Sequence, residues 1–188
     1  LVTLDLSYNK ITRLDLRNFK KLTNFTANHN TILATVLFSD GSTELRNIDM
    51  SDGDITHFYP VSLPNLRYLN LANGSLLELE LGNNYPELRD VDITGNVGVT
   101  SIDVTQQTKL EKLLIKGTKI TELNLINNPE LIMLDASNTD IAKLDLSGNK
   151  NVTTLELSDT KLSRLDVSNL ANLYTINIDN TKIQRIDL

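Results

Sequence analysis

The sequence predicts a curved, all-parallel β-solenoid with little or no helix, and three observations carry that expectation. The pattern L-x-x-L-x-L-x-x-N-x-[IL]-x-x-L-x-L recurs in nine registers across the 188 residues, starting at Leu1, Leu22, Leu45, Leu66, Leu88, Leu110, Leu131, Val152 and Leu173, at spacings of 21 to 23 residues. Each register holds two short alternating runs, as in Leu4-Asp5-Leu6 and Leu14-Asp15-Leu16, and period-two alternation places the apolar members on one face. No segment sustains an apolar period of 3.6 residues. A three-residue strand cannot stand alone, but stacked about 4.8 Å from the same strand of the next repeat it joins a continuous parallel sheet.

Within a repeat, the first run builds one wall of a flattened coil. Its third apolar slot reads Leu6, Ala27, Met50, Leu71, Ile93, Ile115, Ala136, Leu157 and Ile178, so every register fills it with a residue that can be buried. Each buried Leu or Ile contributes roughly 1.5–3 kcal/mol, sufficient only when neighbouring repeats cover both faces. A polar corner follows. Asn9, Asn30 and Asn96 stand there, and a buried side-chain amide can bond the backbone of its own and the adjacent turn. The slot then changes to Gly53 and Gly74, and after Asn96 to Thr118, Thr139, Thr160 and Thr181 in unbroken succession. A hydroxyl replaces part of the Asn network, so a buried structural Thr ladder is expected.

The second run builds the opposite wall. Its outward residues pair a base or acid with a second polar group: Arg13 with Asp15, Glu122 with Asn124, Lys143 with Asp145, Arg164 with Asp166, Arg185 with Asp187. Stacked carboxylates repel, and the parallel column of Lys and Arg is expected to relieve them; the repeats lack the Gly-rich Asp signature of calcium-binding coils. Irregularity concentrates in repeats two and three, with an Asp40-Gly41 turn and with Pro60 and Pro64 interrupting the second run around His57, Phe58 and Tyr59. Phe58 is expected to fill the inward slot of Leu14, leaving His57 and Tyr59 exposed. Asp49, Asp52 and Asp54 lack the glutamate that completes an EF-hand loop and read as a solvated turn.

Composition narrows the chemistry. With no Cys, thiol nucleophiles, disulfides and Cys-based zinc sites are excluded, and a net charge of −6 argues against wholesale phosphate-backbone binding. No apolar run approaches the ~20 residues of a membrane-spanning helix. The two histidines, His29 and His57, stand apart from any phosphate-cradling or nucleophile-elbow motif, so no catalysis, cofactor or metal is expected. The chain opens on Leu1, already inside the pattern, which predicts one repeat array over 1–188 cut from a longer protein.

Nine tandem matches resemble the leucine-rich repeats over the whole chain. The second halves "ITRLDLRN", "IAKLDLSGN" and "LSRLDVSN" are similar to the short bacterial repeats of internalin J-like and Bacteroidetes cell-surface proteins. Those repeats carry a cysteine in the inward slot that here holds Ala27 or Leu157, a departure from that subfamily. The resemblance implies a right-handed leucine-rich-repeat solenoid, with a curved parallel sheet on the concave side and short strands or extended segments on the convex side. It also implies an extracellular or cell-surface, secreted bacterial setting and a binding or adhesion role.

A binding function would sit on the outward face of the first strand, a broad rigid surface. Arg46, Arg67 and Arg89 precede that strand in three consecutive repeats, with Asp49, Asp90 and Asp92 as expected counter-charges and Tyr68 and Asn70 beside them. Such a mixed patch can grip a protein loop or a glycan. Leu114 and Met133 are outward apolar residues of adjacent repeats, which favours a protein contact. The reading is a non-catalytic recognition module for a protein, with a glycan second; the alternative is a spacer with no specific ligand.

Overall fold

The computed structural model describes residues 1–58 and 61–187. Its elements are fifteen strands of two or three residues, and helix is absent among the described residues. The first runs form one nine-stranded parallel sheet: β1 (Thr3–Asp5), β3 (Asn24–Thr26), β5 (Asn47–Asp49), β7 (Tyr68–Asn70), β9 (Asp90–Asp92), β10 (Lys112–Leu114), β11 (Met133–Asp135), β12 (Thr154–Glu156) and β14 (Thr175–Asn177). Every strand pairs its repeat-equivalent residues, so Tyr68 lies beside Asn47 and Asp90. Backbone bonds extend this ladder one residue upstream, from Thr23 through Arg46, Arg67, Arg89, Glu111, Ile132 and Thr153 to Tyr174, at 2.8–2.9 Å.

The second wall pairs only two by two. β2 (Arg13–Asp15) pairs with β4 (Thr35–Leu37), β6 (His57–Phe58) with β8 (Glu78–Leu79), and β13 (Arg164–Asp166) with β15 (Arg185–Asp187). Segments 102–104, 122–124 and 143–145 carry the same alternation but form no strand. Strand spacing on the concave side is fixed by hydrogen bonding near 4.8 Å. The convex side of a curved coil is longer, so neighbouring segments there pair locally and break elsewhere.

Between the walls lies one continuous core. The inward slots Phe25, Ile48, Leu69, Val91, Leu113, Leu134 and Leu155 are all but inaccessible, whereas Leu4, Leu6 and Leu14, covered from one side only, are partly buried and Leu16 is fully buried. Phe58 fills the inward slot of its run, 6.1 Å from both Phe38 and Tyr85. Tyr59 lies outside the described residues.

The first corner explains its own sequence. Asn30 is fully buried: its Nδ2 donates to the carbonyls of Ala27 in its own turn and Leu6 in the preceding one, and its Oδ1 accepts the Ile11 amide at 3.0 Å. Asn96 does the same for the turn of Gly74, bonding Leu71 O and the Leu76 amide, and a Cβ on Gly74 would stand 3.1 Å from the Asn96 oxygen. Thr118, Thr139 and Thr160 are buried and donate only within their own turn, to Ile115, Ala136 and Leu157. The ladder stops short at both ends. Asn9 is exposed and bonds its own turn. Thr181, expected to be buried, is half-exposed, and its hydroxyl accepts the Ile183 amide instead of donating inward, because the described chain has no further turn to cover it.

One residue before that slot the backbone is left-handed in all nine repeats, at Tyr8, His29, Asp52, Asn73, Gly95, Gly117, Asn138, Asp159 and Asn180, with φ between 53° and 76°. Gly tolerates this region and Asn, Asp and His enter it more readily than other residues, whereas Tyr8 does not favour it.

Candidate recognition face

The concave sheet presents three outward positions per strand. At the third, a polar residue receives the side chain of the first-run acid. Asp49 Oδ1 accepts both the amide and the hydroxyl of Ser51, Asp135 does so with Ser137, and Asp92 accepts the Thr94 amide at 2.9 Å. The same turn recurs on the convex side, where Asp103, Asp145 and Asp166 take the amides of Thr105, Ser147 and Ser168. The carboxylate column is therefore relieved chiefly by local amides, not by the Lys and Arg column expected to do so. A bond to a residue two positions away orders less chain than a long basic side chain would, so it wins. Basic partners add to it near the two ends, with Arg17 on Asp15 at 2.6 Å in the first repeat and Arg164 on Asp187 at 3.3 Å near the last.

This changes the basic patch. Arg89 pairs with Glu111, not with Asp90 or Asp92. Among the described residues neither Arg46 nor Arg67 makes a direct ion pair, although Arg67 acts through space on Glu87, where Lys109 chiefly holds the carboxyl below its usual range; both arginines are exposed. Tyr68 and Asn70 are half-buried on β7, flanked by Asn47 and Asp49 on one side and Asp90 and Asp92 on the other. Burial, and then the nearby Asp49 charge, raise the Tyr68 phenol above its usual range, with Asn70 bonding it in opposition. Burial likewise raises the Asp90 carboxyl, with Lys112 pulling it down.

Leu114 and Met133 are half-buried and stand in different columns of adjacent strands. Met133 stands in the column of Lys112 while Leu114 stands in the column of Asp92 and Asp135, so they touch the face diagonally. Exposed apolar groups on this side include Val2 (57% accessible), Ile132 (43%) and Tyr174 (91%), in the column that also holds Arg46, Arg67, Arg89 and Glu111. The sequence places Arg46, Arg67 and Arg89 in this leading column, but sorting the strand slots by alternation does not extend it to Glu111, Ile132 and Tyr174, although their 21- and 22-residue spacing is legible.

On the far flank, the rings of Tyr8 and His29 stack at 4.2 Å and 16°, and His29 Nε2 lies 3.4 Å from Asp52 Oδ2. His57 bonds Thr56 and approaches Glu78 on the convex wall, away from this face. A second buried column was also missed. Gln107, Asn128 and Asn149 are fully buried at the other corner, where Asn128 donates to Val104 and Gln107 carbonyls and Asn149 to those of Leu125 and Asn128. No group of three or more His, Cys, Asp or Glu among the described residues is placed to hold a metal ion, and no helix is long and apolar enough to cross a membrane.

Comparison with known proteins agrees with this architecture. The family profile for Leucine Rich Repeat matches residues 1–22. No curated protein matches the chain by sequence. Among solved structures, internalin C2 of Listeria monocytogenes shares 19% identity with a TM-score of 0.75, over 98% of this chain and 74% of that one. The Toll–Spatzle complex of Drosophila shares 18% identity with a TM-score of 0.78, over 100% of this chain and 31% of the matched one. The functional domain of InlJ from L. monocytogenes, whose structure includes a cysteine ladder, shares 22% identity with a TM-score of 0.43, over 95% of this chain; the chain spans 58% of that domain's length. With its nine-stranded concave sheet, its helix-free coil and the repeat matched at residues 1–22, the chain is a leucine-rich-repeat solenoid, sharing its fold with the bacterial internalins.

Proposed function

We propose that this chain is a non-catalytic recognition module of an extracellular or surface protein, binding a protein partner through the concave sheet and its leading column. The observation that carries the reading is the state of Arg46 and Arg67. Both guanidinium groups are exposed and neither makes a direct ion pair among the described residues, so their donors are available to an outside group. Tyr68 and Asn70 add a half-buried aromatic and an amide next to it, and Arg89, Asp49, Asp92, Leu114 and Met133 complete the candidate surface. The Toll–Spatzle complex shows a protein of this fold engaging another protein.

The test is capture by wild type and by a variant carrying Arg67→Glu and Tyr68→Ala, from native extracts and on protein and glycan arrays. Arg67 is exposed and Tyr68 half-buried, so the change in stability, read from matched melting curves, should stay near ~1 kcal/mol. Loss of such anchors should lower affinity about thirtyfold, ~2 kcal/mol. Equal capture by both forms removes this patch. No specific capture by either form favours a spacer.

A further inference from the structure

The left-handed corners share a backbone and differ in chemistry. Asn occupies that position in three of them, at Asn73, Asn138 and Asn180, with φ of 55°, 53° and 55°. The next residue decides what each carboxamide can do. Asn138 and Asn180 precede the β-branched Thr139 and Thr181, and Thr139 is buried with its hydroxyl bonded to the Ala136 carbonyl. Asn180 Nδ2 is itself held by Asp159 Oδ1 at 3.2 Å. Asn73 precedes Gly74, the one Asn-Gly pair in the chain.

The corner of repeat four is open in three ways. Asn73 is exposed, and among the described residues no hydrogen bond reaches its carboxamide. None reaches the Gly74 amide either, whereas the equivalent amides of Asn96 and Thr118 donate to the carbonyls of Ile93 and Ile115 at 3.3 and 3.2 Å. Bare backbone lies on both sides: a Cβ on Gly74 would stand 3.4 Å from the Gly53 carbonyl oxygen, and a Cβ on Gly95 would stand 2.7 Å from Asn73 Oδ1. An unbonded electrophile is thus followed by an unbonded amide on a residue with no side chain to hinder it.

We propose that Asn73–Gly74 is a site of spontaneous covalent modification, where the chain closes a succinimide and converts an asparagine corner to an aspartyl or isoaspartyl one. The Gly74 nitrogen gives its proton to solvent and bonds to Asn73 Cγ, and the carboxamide nitrogen takes a proton and leaves as ammonia. One water then opens the five-membered imide. Opening at Cγ gives aspartate, and opening at the Asn73 backbone carbonyl gives isoaspartate; no oxidant or reductant is needed. Either product sets a new carboxylate one repeat from Asp52, at the exit of β7, the strand that carries Tyr68 and Asn70. Isoaspartate also adds a methylene to the main chain inside the turn that Asn96 clasps through the Leu71 carbonyl and the Leu76 amide.

The test incubates the folded chain in mildly alkaline buffer and follows each asparagine by peptide mass spectrometry with fragment-ion localisation. Asn73 is expected to gain about one mass unit at least about tenfold faster than Asn138 or Asn180. One ammonia should be released per chain converted, one oxygen taken up from isotopically labelled water, and isoaspartate, which only the imide yields, found among the products. In mildly acidic buffer, which slows imide opening, a species lighter than the parent by one ammonia should accumulate. Asn73→Asp keeps the corner and removes the leaving group, so it should abolish the ammonia while the far-ultraviolet spectrum stays unchanged. Equal rates at the three asparagines, aspartate formed without isoaspartate, or an Asn73 that stays intact in the folded chain, whether or not it converts in urea, overturns the proposal.

Discussion

Asn149 and Thr160 occupy opposite corners and carry different burdens. Asn149 ties two turns through Leu125 and Asn128 carbonyls, whereas Thr160 bonds only Leu157 in its own turn. Removing a buried group leaves its partners unsatisfied at about 1–3 kcal/mol, so Thr160→Val should fall at the low end of that range and Asn149→Ala at or above its upper end, read from denaturant melts. Equal losses would show that the cross-turn bonds contribute nothing. The aspartates give a pH signature. The hydroxyl and then the amide two residues ahead hold Asp5, Asp103 and Asp166 below the usual carboxylate range, for Asp145 the Ser147 amide leads, and Arg17 brings Asp15 down to about 2. A depressed folded pKa means stability that is complete above the unfolded value near 4 and lost as pH falls through the folded one. Thermal midpoints should therefore drop from pH ~4 toward ~2; a flat profile there would contradict these bonds.

At the scale of the element, the strand ladder and its corner were legible to different degrees. The apolar slots and the Asn-to-Thr column follow from spacing alone, since burial imposes a residue type at every turn. The Asp-x-Ser turns of Asp145 with Ser147 and Asp166 with Ser168 are written in the sequence but read as a charge ladder, because a short-range bond to the chain's own amide leaves no long-range trace. The pairing of Arg89 with Glu111 was hidden for another reason: the leading column lies outside the alternation used to sort residues into faces. The left-handed corner makes a firm prediction. A Cβ on Gly95, at φ +76°, would come within 2.7 Å of Asn73 Oδ1, so Gly95→Ala combines backbone strain with a clash and should cost about 1–3 kcal/mol in a melt. Hydrogen exchange should also separate the walls, with amides of 112–114 and 133–135 protected and those of 122–124 and 143–145 exchanging faster.

Taken whole, the molecule is acidic, with a net charge of −6, yet it exposes Arg46 and Arg67, which make no direct ion pair among the described residues. Capture through these arginines should weaken as salt rises from about 50 to 300 mM, as the Debye length shortens, and the Arg67→Glu and Tyr68→Ala form should lose that dependence. Salt-independent capture by wild type would place the contact elsewhere.

The unequal pairing of the two walls also makes the coil an asymmetric beam. Nine strands and a backbone ladder from Thr23 to Tyr174 fix the spacing of the concave side, while on the convex side strands pair only two by two and single backbone bonds at the corner, such as Lys161 to the Ile141 carbonyl at 2.9 Å, join most successive turns. Bending then stretches or compresses the weakly bonded wall and leaves the bonded one as the neutral line. The array can therefore change its radius to follow a partner's contour while Arg46, Arg67 and Tyr68 keep their mutual distances. Compliance resides in one wall and recognition in the other.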